Sequence, residues 1–450
     1  MKNIVNVFLS QLFQNPFLLL LSSFVFLITV GTLLLILPYS SANNISISFI
    51  DSLFTSTSAV CVTGLVVMDT YTSFSIFGQI VIISLIQMGG LGIIIIMTFG
   101  SLIIGQRIGI RHEYIVSEML GSKKIKFAYE IIKFIVITTF LFELTGAIAL
   151  FYSFYSYENS IIIAIWKSIF HSISAFCNAG FALQSSSLIR YNNSPSILIV
   201  IMALIVSGGI GFPVLIYIKK ILKKEISFSN VPVFVKISML VTLSLILIGF
   251  FGLLLSEYQY SLKHLSFIDK LSNALFLSIT PRTAGFNSTN MTDLSSSSII
   301  LIMFLMFIGG GSGSTAGGIK VTTFGVLIGV FISFIKGRKG VVLFNREISS
   351  LIVNRSVILL SFSIFLIIIS TYILLINQNL NLTESLFEVV SAYGTVGLSL
   401  GTTAKLNSFG KFIIILLMYC GRVGLLSIFL LFIKEKKSNI RYTVENISVG

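Results

Sequence analysis

Charge is scarce in this sequence. Asp, Glu, Lys and Arg make up 10% of its 450 residues, against 55% hydrophobic ones. A soluble domain carries about 25% charged residues, so this chain lacks the polar surface that a water-facing globule needs. Cysteine is as sparse. Three of them, without zinc-ligand spacing, exclude a disulfide framework. The three histidines, His112, His171 and His264, are scattered. No Walker loop, metal cluster or nucleophile–base pair is present, which speaks against an enzyme and against a bound cofactor.

What is present are long uncharged runs, among them residues 17–37 and 74–104. Both reach the roughly 20 apolar residues that span a bilayer as a helix. The N-terminal run is longer than the roughly 7–15 residues of a signal-peptide core, so it reads as the first spanning helix. The formal net charge of +14 fits Lys and Arg gathered in cytoplasmic loops better than a nucleic-acid surface, and nucleic acid is not expected as a partner.

The spanning candidates come in pairs, and each pair encloses a shorter apolar segment that ends in glycine. The units read helix, short segment, helix at 17–37, 51–61 and 75–100; at 130–155, 165–177 and 196–218; at 236–256, 268–280 and a broken 299–335; and at 356–376, 384–393 and 411–433. The repeat shows in the residues themselves. Phe54, Ser58, Ala59, Cys61 and Gly64 match Phe170, Ser174, Ala175, Cys177 and Gly180, and the fourth unit keeps Phe387, Ser391, Ala392 and Gly397. The third segment, from Phe276 to Gly285, is one residue shorter. Internal repetition of this kind defines one fold of quasi-equivalent quarters, here 1–105, 106–222, 223–340 and 341–450.

Orientation gives a separate check. With the N-terminus inside, the inner segments 1–16, 101–126, 219–236, 336–355 and 434–450 hold most of the 30 Lys and Arg residues. The outer segments hold Lys167, Arg190, Lys263, Lys270, Arg282 and Lys405. The spans hold Lys133, Lys320, Lys411 and Arg422. The positive-inside rule then supports eight spans, with both termini cytoplasmic and all four short segments entering from outside. The expected fold is an all-α polytopic membrane protein. Its four M1–pore loop–M2 repeats surround one pseudo-fourfold pore.

A short helix that stops within the membrane leaves carbonyls unpaired, and such backbone survives only where protein buries it or water lines it. Four equivalent segments around one axis can aim their negative helix ends and their extended carbonyls at a common point. Rings of carbonyls replace the hydration shell of potassium, and this needs no ionised side chain. The candidate filter residues are therefore Val62, Thr63 and Gly64; Asn178, Ala179 and Gly180; Thr283, Ala284 and Gly285; and Thr395, Val396 and Gly397. One such glycine alone reads equally as close helix packing; four in register point to the filter.

The second helix of each unit has its own glycine cluster. For Gly89-Gly90-Leu91-Gly92 and Gly208-Gly209-Ile210-Gly211, close packing of small residues is the favoured reading. The third cluster, Gly309-Gly310-Gly311-Ser312-Gly313-Ser314-Thr315-Ala316-Gly317-Gly318, has almost no side-chain volume. At about 1 kcal/mol per glycine it would make a costly helix, so it reads as a loop at membrane depth and a movable barrier below the filter, against the alternative of an inert kink. Arg422 stands in an otherwise uncharged span and either lines the pore while bracing that loop or pairs with Glu143. Lys320 either snorkels to the inner interface or meets the same cavity. Asp51, Asp269 and Glu384 begin short helices, where they complement the positive helix end.

At these residues the sequence resembles the Trk/Ktr/HKT superfamily of potassium transporters along nearly its whole length. The carrying motifs are Ala59-Val60-Cys61-Val62-Thr63-Gly64-Leu65, Asn178-Ala179-Gly180-Phe181, Arg282-Thr283-Ala284-Gly285-Phe286-Asn287 and Gly394-Thr395-Val396-Gly397-Leu398. Ser314-Thr315-Ala316-Gly317-Gly318-Ile319-Lys320 and Gly421-Arg422-Val423-Gly424 add to them. With no helix pair expected ahead of the first unit, the likeness is nearer to the KtrB type of membrane subunit than to the longer TrkH type. The resemblance implies potassium uptake across the cell (inner) membrane, a homodimer with one pore per subunit, and gating by a cytoplasmic ring of nucleotide-binding RCK subunits of the KtrA kind. Stimulation by sodium is common in KtrB-like members. Pro281 departs from the small or polar residue usual at its place; proline removes an N–H and fixes φ.

Two other readings compete. A sodium-conducting relative would, in this superfamily, carry serine where this chain has Gly64. A membrane-embedded enzyme would need a nucleophile paired with a base, and His171 has Thr55 and Glu388 as its repeat equivalents, which marks a tolerant position.

Overall fold

In the computed structural model, residues 16–92, 95, 128–158 and 160–425 are described. The expected cytoplasmic ends, the inner segment 101–126 and the inner halves of the helices expected at 75–100 and 411–433 lie outside them. Fourteen helices of eleven residues or more run through the described chain: α1 (Pro16–Ile36), α2 (Phe49–Val60), α3 (Ile76–Leu91), α4 (Ala128–Phe154), α5 (Ile161–Phe176), α6 (Pro195–Gly209), α7 (Phe212–Leu222), α8 (Val233–Glu257), α9 (Phe267–Ile279), α10 (Ser296–Phe307), α11 (Val321–Ile335), α12 (Ser350–Asn377), α13 (Leu382–Gly394) and α14 (Ser408–Val423). Among the described residues α1, α4, α8 and α12 are long and apolar enough to cross a membrane. Each is followed by a shorter helix, α2, α5, α9 or α13, at the place expected for a re-entrant segment.

The short helices start where their sequences cap them. Ser48 Oγ accepts from Asp51 N (3.2 Å) and donates to the Asp51 carboxylate (2.7 Å). Ser266 and Asp269 repeat the arrangement at α9. Asn381 and Glu384 form a reciprocal capping box at α13. The three acidic residues thus sit in first turns, where the helix dipole favours them.

Each short helix is keyed to the long helix before it. Ser56 Oγ donates to Ile28 O (2.8 Å), Ser172 Oγ to Glu143 O (2.6 Å) and Ser278 Oγ to Ile246 O (2.6 Å). In all three a glycine of the long helix, Gly31, Gly146 or Gly249, faces that serine and leaves no room for a Cβ. The fourth unit has Val389 instead, and joins α12 to α13 through Ser363 Oγ and the Tyr393 hydroxyl at 2.5 Å. Phe54, Phe170, Phe276 and Phe387, the residues that open the repeat motif, are all fully buried.

The second helices differ from expectation. The helix expected near 196–218 is broken into α6 and α7 with a bend of 104°. The break falls at Gly211, whose φ is +100°, with Pro213 in the first turn of α7. Gly92 and Gly424 hold the same left-handed conformation, φ +83° in each, at the ends of α3 and α14. A helix cannot pass through such a residue, and glycine is the residue that adopts it without strain. The all-α expectation also needs one correction. Strands β1 (Val341–Leu343) and β2 (Arg346–Ile348) form an antiparallel hairpin. Its turn residues Phe344 and Asn345 both have positive φ, the primed turn that matches strand twist. The hairpin leans on α11, with Val342 N donating to Ser333 Oγ (3.3 Å).

Candidate functional site

The four short helices end alike. After α2, α5 and α13 a tight turn follows, in which Val62 N donates to Ala59 O, Asn178 N to Ala175 O and Thr395 N to Ala392 O, each at 3.1 Å. The first residue of every candidate triplet then has positive φ: Val62 +56°, Asn178 +61°, Thr283 +65° and Thr395 +49°. The glycine two residues on is positive again: Gly64 +88°, Gly180 +70°, Gly285 +75° and Gly397 +93°. This alternation interrupts the pleat that would send successive carbonyls to opposite sides.

Hydroxyls hold these strands. Gly64 N donates to Ser58 Oγ and Gly397 N to Ser391 Oγ, both at 3.1 Å. In the other two units the equivalent hydroxyl bonds one step further along, Ser174 Oγ to Phe181 O (2.8 Å) and Thr280 Oγ1 to Phe286 O (2.6 Å). Thr280 restores the hydroxyl in the unit that is one residue shorter. Ser58→Ala is expected to leave the buried Gly64 N–H unpaired, at a cost of roughly 1–3 kcal/mol. Thermal unfolding of the detergent-solubilised chain measures it, with Ser22→Ala as the control.

The strands meet in a closed ring. A Cβ built on Gly64 would lie 3.1 Å from the Gly180 Cα, one on Gly180 3.1 Å from the Gly285 Cα, one on Gly285 3.1 Å from the Gly397 Cα, and one on Gly397 3.0 Å from the Gly64 Cα. The same construction touches the carbonyl oxygens of Ala179, Ala284, Val396 and Thr63 in turn. All twelve candidate filter residues therefore stand together, with the four glycines packed edge to edge.

Against the start of the fourth strand, at Gly394 and Thr395, lies the glycine-rich stretch 309–318, and it is a loop, not a helix. Its neck is closed by Gly309 N donating to Ile319 O (2.7 Å) and Val321 N to Gly310 O (3.1 Å). Gly311 N donates to Gly209 O (2.8 Å), and Phe212 N donates to Gly313 O (3.0 Å). Backbone groups freed by the α6–α7 break are thus taken up by the loop, as buried backbone requires. On the other side Gly318 N reaches Gly421 O (3.3 Å), and Gly317 packs against the Thr395 side chain. The loop touches the second and fourth units while belonging to the third.

The expected cations meet this loop. Arg422 donates to Thr315 O through Nη1, and to Gly89 O (2.5 Å) and Gly90 O (3.3 Å) through Nη2. It bridges the loop to the first unit. Glu143 is taken by Gln87, whose Nε2 donates to its carboxylate (3.2 Å), and among the described residues no ion pair joins Glu143 to Arg422. Lys320 Nζ turns back onto Ala316 O (2.6 Å). The glycine clusters of α3, α6 and α14 pack as small residues: Gly89, Gly208 and Gly421 lie against the carbonyls of Val60, Phe176 and Tyr393, each in the last turn of its unit's short helix.

Three cations of the charge count are held inside the structure or in ion pairs. Arg282, counted with the outer segments, is buried, 6% exposed, and its Nη2 donates to Gly309 O (3.2 Å). Its position directly before the third triplet was the available signal. Lys411, expected within a span, pairs with Asp51 at the start of α2 (2.6 Å). Lys167, expected outside, is buried with Glu158 (2.8 Å).

Long apolar helices interleaved with short ones, and four loops joined in a ring, define a helical membrane protein of the transport class. The chain belongs to the TrkH family of cation transport proteins, whose profile matches residues 9–442. It is 37% identical over 443 residues to the Ktr system potassium uptake protein B of Bacillus subtilis (strain 168), covering 97% of each chain. It is 36% identical to the potassium/sodium uptake protein NtpJ of Enterococcus hirae, again over 97% of each. The crystal structure of the potassium transporter TrkH from Vibrio parahaemolyticus shares the fold, with a TM-score of 0.74 at 20% identity, over 93% of this chain and 84% of that one.

Proposed function

We propose that this chain is the pore-forming subunit of a potassium uptake system. It would cross the cell membrane eight times as four helix–pore loop–helix repeats, with the quarters 1–105, 106–222, 223–340 and 341–450 around one pore. The observation that carries the reading is the closed ring, in which the glycine of each unit abuts the carbonyl just ahead of the next unit's glycine. Thr63, Ala179, Ala284 and Val396 supply those carbonyls to a dehydrated potassium ion. Gly64, Gly180, Gly285 and Gly397 allow the approach. Residues 309–318 close the path below, and Arg422 and Lys320 hold the loop while placing positive charge beside the path. Relatives named for potassium uptake over nearly their full length support the substrate.

A sodium-conducting protein is the second reading, favoured by the potassium/sodium name of one relative. Flux of potassium and of sodium into liposomes holding the purified chain tests the proposal. Potassium entry that sodium competes for weakly supports it; preferential sodium entry transfers the protein to the second reading.

The regulatory part of the proposal concerns a partner. The described chain between spans offers only short inner connections, such as 223–232 and the hairpin at 341–348, each far below the roughly 50 residues of a small domain. A nucleotide-binding ring of RCK type docked beneath a homodimer would move the inner helix ends and the loop, acting through its differential affinity for open and closed states. Co-purification with such a subunit is expected, along with nucleotide-dependent flux that the isolated chain lacks. A full nucleotide response from liposomes holding this chain alone would overturn it.

A further inference from the structure

Arg282 is the one cation built into the ring's own strands. The residue directly before each candidate triplet is Cys61, Cys177, Arg282 or Gly394, so only the third unit puts a guanidinium at the end of its short helix. Peptide geometry couples it directly to Thr283, which carries the left-handed φ of +65° that opens the third strand. Its Nη2 donates to Gly309 O (3.2 Å), and Gly309 is also the residue whose N–H closes the neck of the loop onto Ile319 O. One side chain thus joins the last residue before the filter strand to the first residue of the loop.

The other edge of the guanidinium is free. Nη1 has no partner among the described residues, and neither has Thr242 Oγ1. Both side chains line a small cavity that Gly209 and Gly310 also border. Arg282 is therefore anchored to the loop by one edge and has space on the other. A charge-assisted hydrogen bond of this kind is roughly twice as strong as a neutral one.

We propose that Arg282 is a positioning residue that links the loop to the filter, so that displacement of Gly309 is transmitted to Thr283, Ala284 and Gly285. The bond helps to hold the loop closed, and the same bond steadies the third strand. Opening of the loop then changes the filter as well as the path below it. This inference rests on the reading of residues 309–318 as the barrier.

A double-mutant cycle in liposomes tests it on the full chain, reading potassium flux and sodium competition together. With the loop intact, Arg282→Gln is expected to raise potassium flux by about tenfold, the scale of one hydrogen bond to a charged group, and to weaken the preference over sodium. In a chain with the 309–318 loop shortened, the same substitution is expected to change flux by less than about twofold, because the partner carbonyl no longer constrains the path. Arg282→Lys, which keeps one donor for Gly309 O, should restore most of the wild-type behaviour. If the shortened chain does not fold, the cycle is run with Arg422→Gln, which loosens the same loop from its other side. Equal effects of Arg282→Gln in both backgrounds would overturn the link and leave only a local charge effect on the filter. No effect in the intact chain would overturn it too. If shortening the loop alone fails to raise flux in a folded chain, the barrier reading falls first and this inference with it.

Discussion

Gly64→Ser is expected to lower the preference for potassium over sodium by about tenfold or more. Two costs add at this position. Gly64 has φ +88°, a conformation that costs an L-residue roughly 1–2 kcal/mol. A Cβ there also meets the Ala179 carbonyl oxygen and comes within 3.1 Å of the Gly180 Cα. Neither neighbour is a flexible side-chain tip, so the backbone must move. The atom displaced is one of the four carbonyls proposed to replace the hydration shell, and each 1.4 kcal/mol of lost discrimination is about tenfold. Sodium competition against potassium uptake measures the effect. An unchanged preference in a folded variant would remove Gly64 from the filter.

Shortening the 309–318 loop should have the opposite character, raising potassium flux by roughly tenfold or more while leaving selectivity in place. The loop carries little side-chain volume, yet it is pinned from every unit. Gly209 and Phe212 hold it from the second, Arg282 from its own, Gly421 and Arg422 from the fourth, and Arg422 carries the tie on to Gly89 in the first. Three of the bonds come from cationic side chains, on Gly309, Thr315 and Ala316, and bonds from charged donors are worth roughly 1.5–3 kcal/mol each. If this pinned segment is the barrier proposed above, its removal lowers the resistance of the path. Reduced or unchanged flux, with the chain folded and the potassium preference intact, would contradict the assignment.

Much of this was legible because the repeat writes each functional position several times. The four glycines and the serine six residues before three of them stand at matching places in the sequence; all four glycines take positive φ, while Ser58 and Ser391 accept from a glycine N–H and Ser174 donates to Phe181 O instead. The Ser56, Ser172 and Ser278 bonds to the long helices, where Gly31, Gly146 and Gly249 face them, were not readable, because the pairing becomes visible only once the two helices are packed.

The breaks in the second helices were harder to see. A glycine cluster in an apolar run satisfies both close packing and a left-handed turn, and the structure takes both options at once. Gly208 packs on the Phe176 carbonyl, while Gly211 turns the chain. What decides is a partner distant in sequence: the loop that accepts from Phe212 N and donates to Gly209 O. Arg282 escaped for a related reason. Counting charges places a cation by its segment, whereas burial beside a loop carbonyl depends on a neighbour 27 residues away.

The central claim is that four backbone strands bind the transported ion at one ring, and locating a heavy potassium substitute tests it most directly. Crystals of the protein grown in thallium or rubidium should show anomalous density on the axis, enclosed by the carbonyls of Thr63, Ala179, Ala284 and Val396. The peak should weaken when sodium replaces the heavier ion and in Gly64→Ser. Anomalous density confined to other parts of the molecule, with this ring empty at saturating ion, would contradict the account.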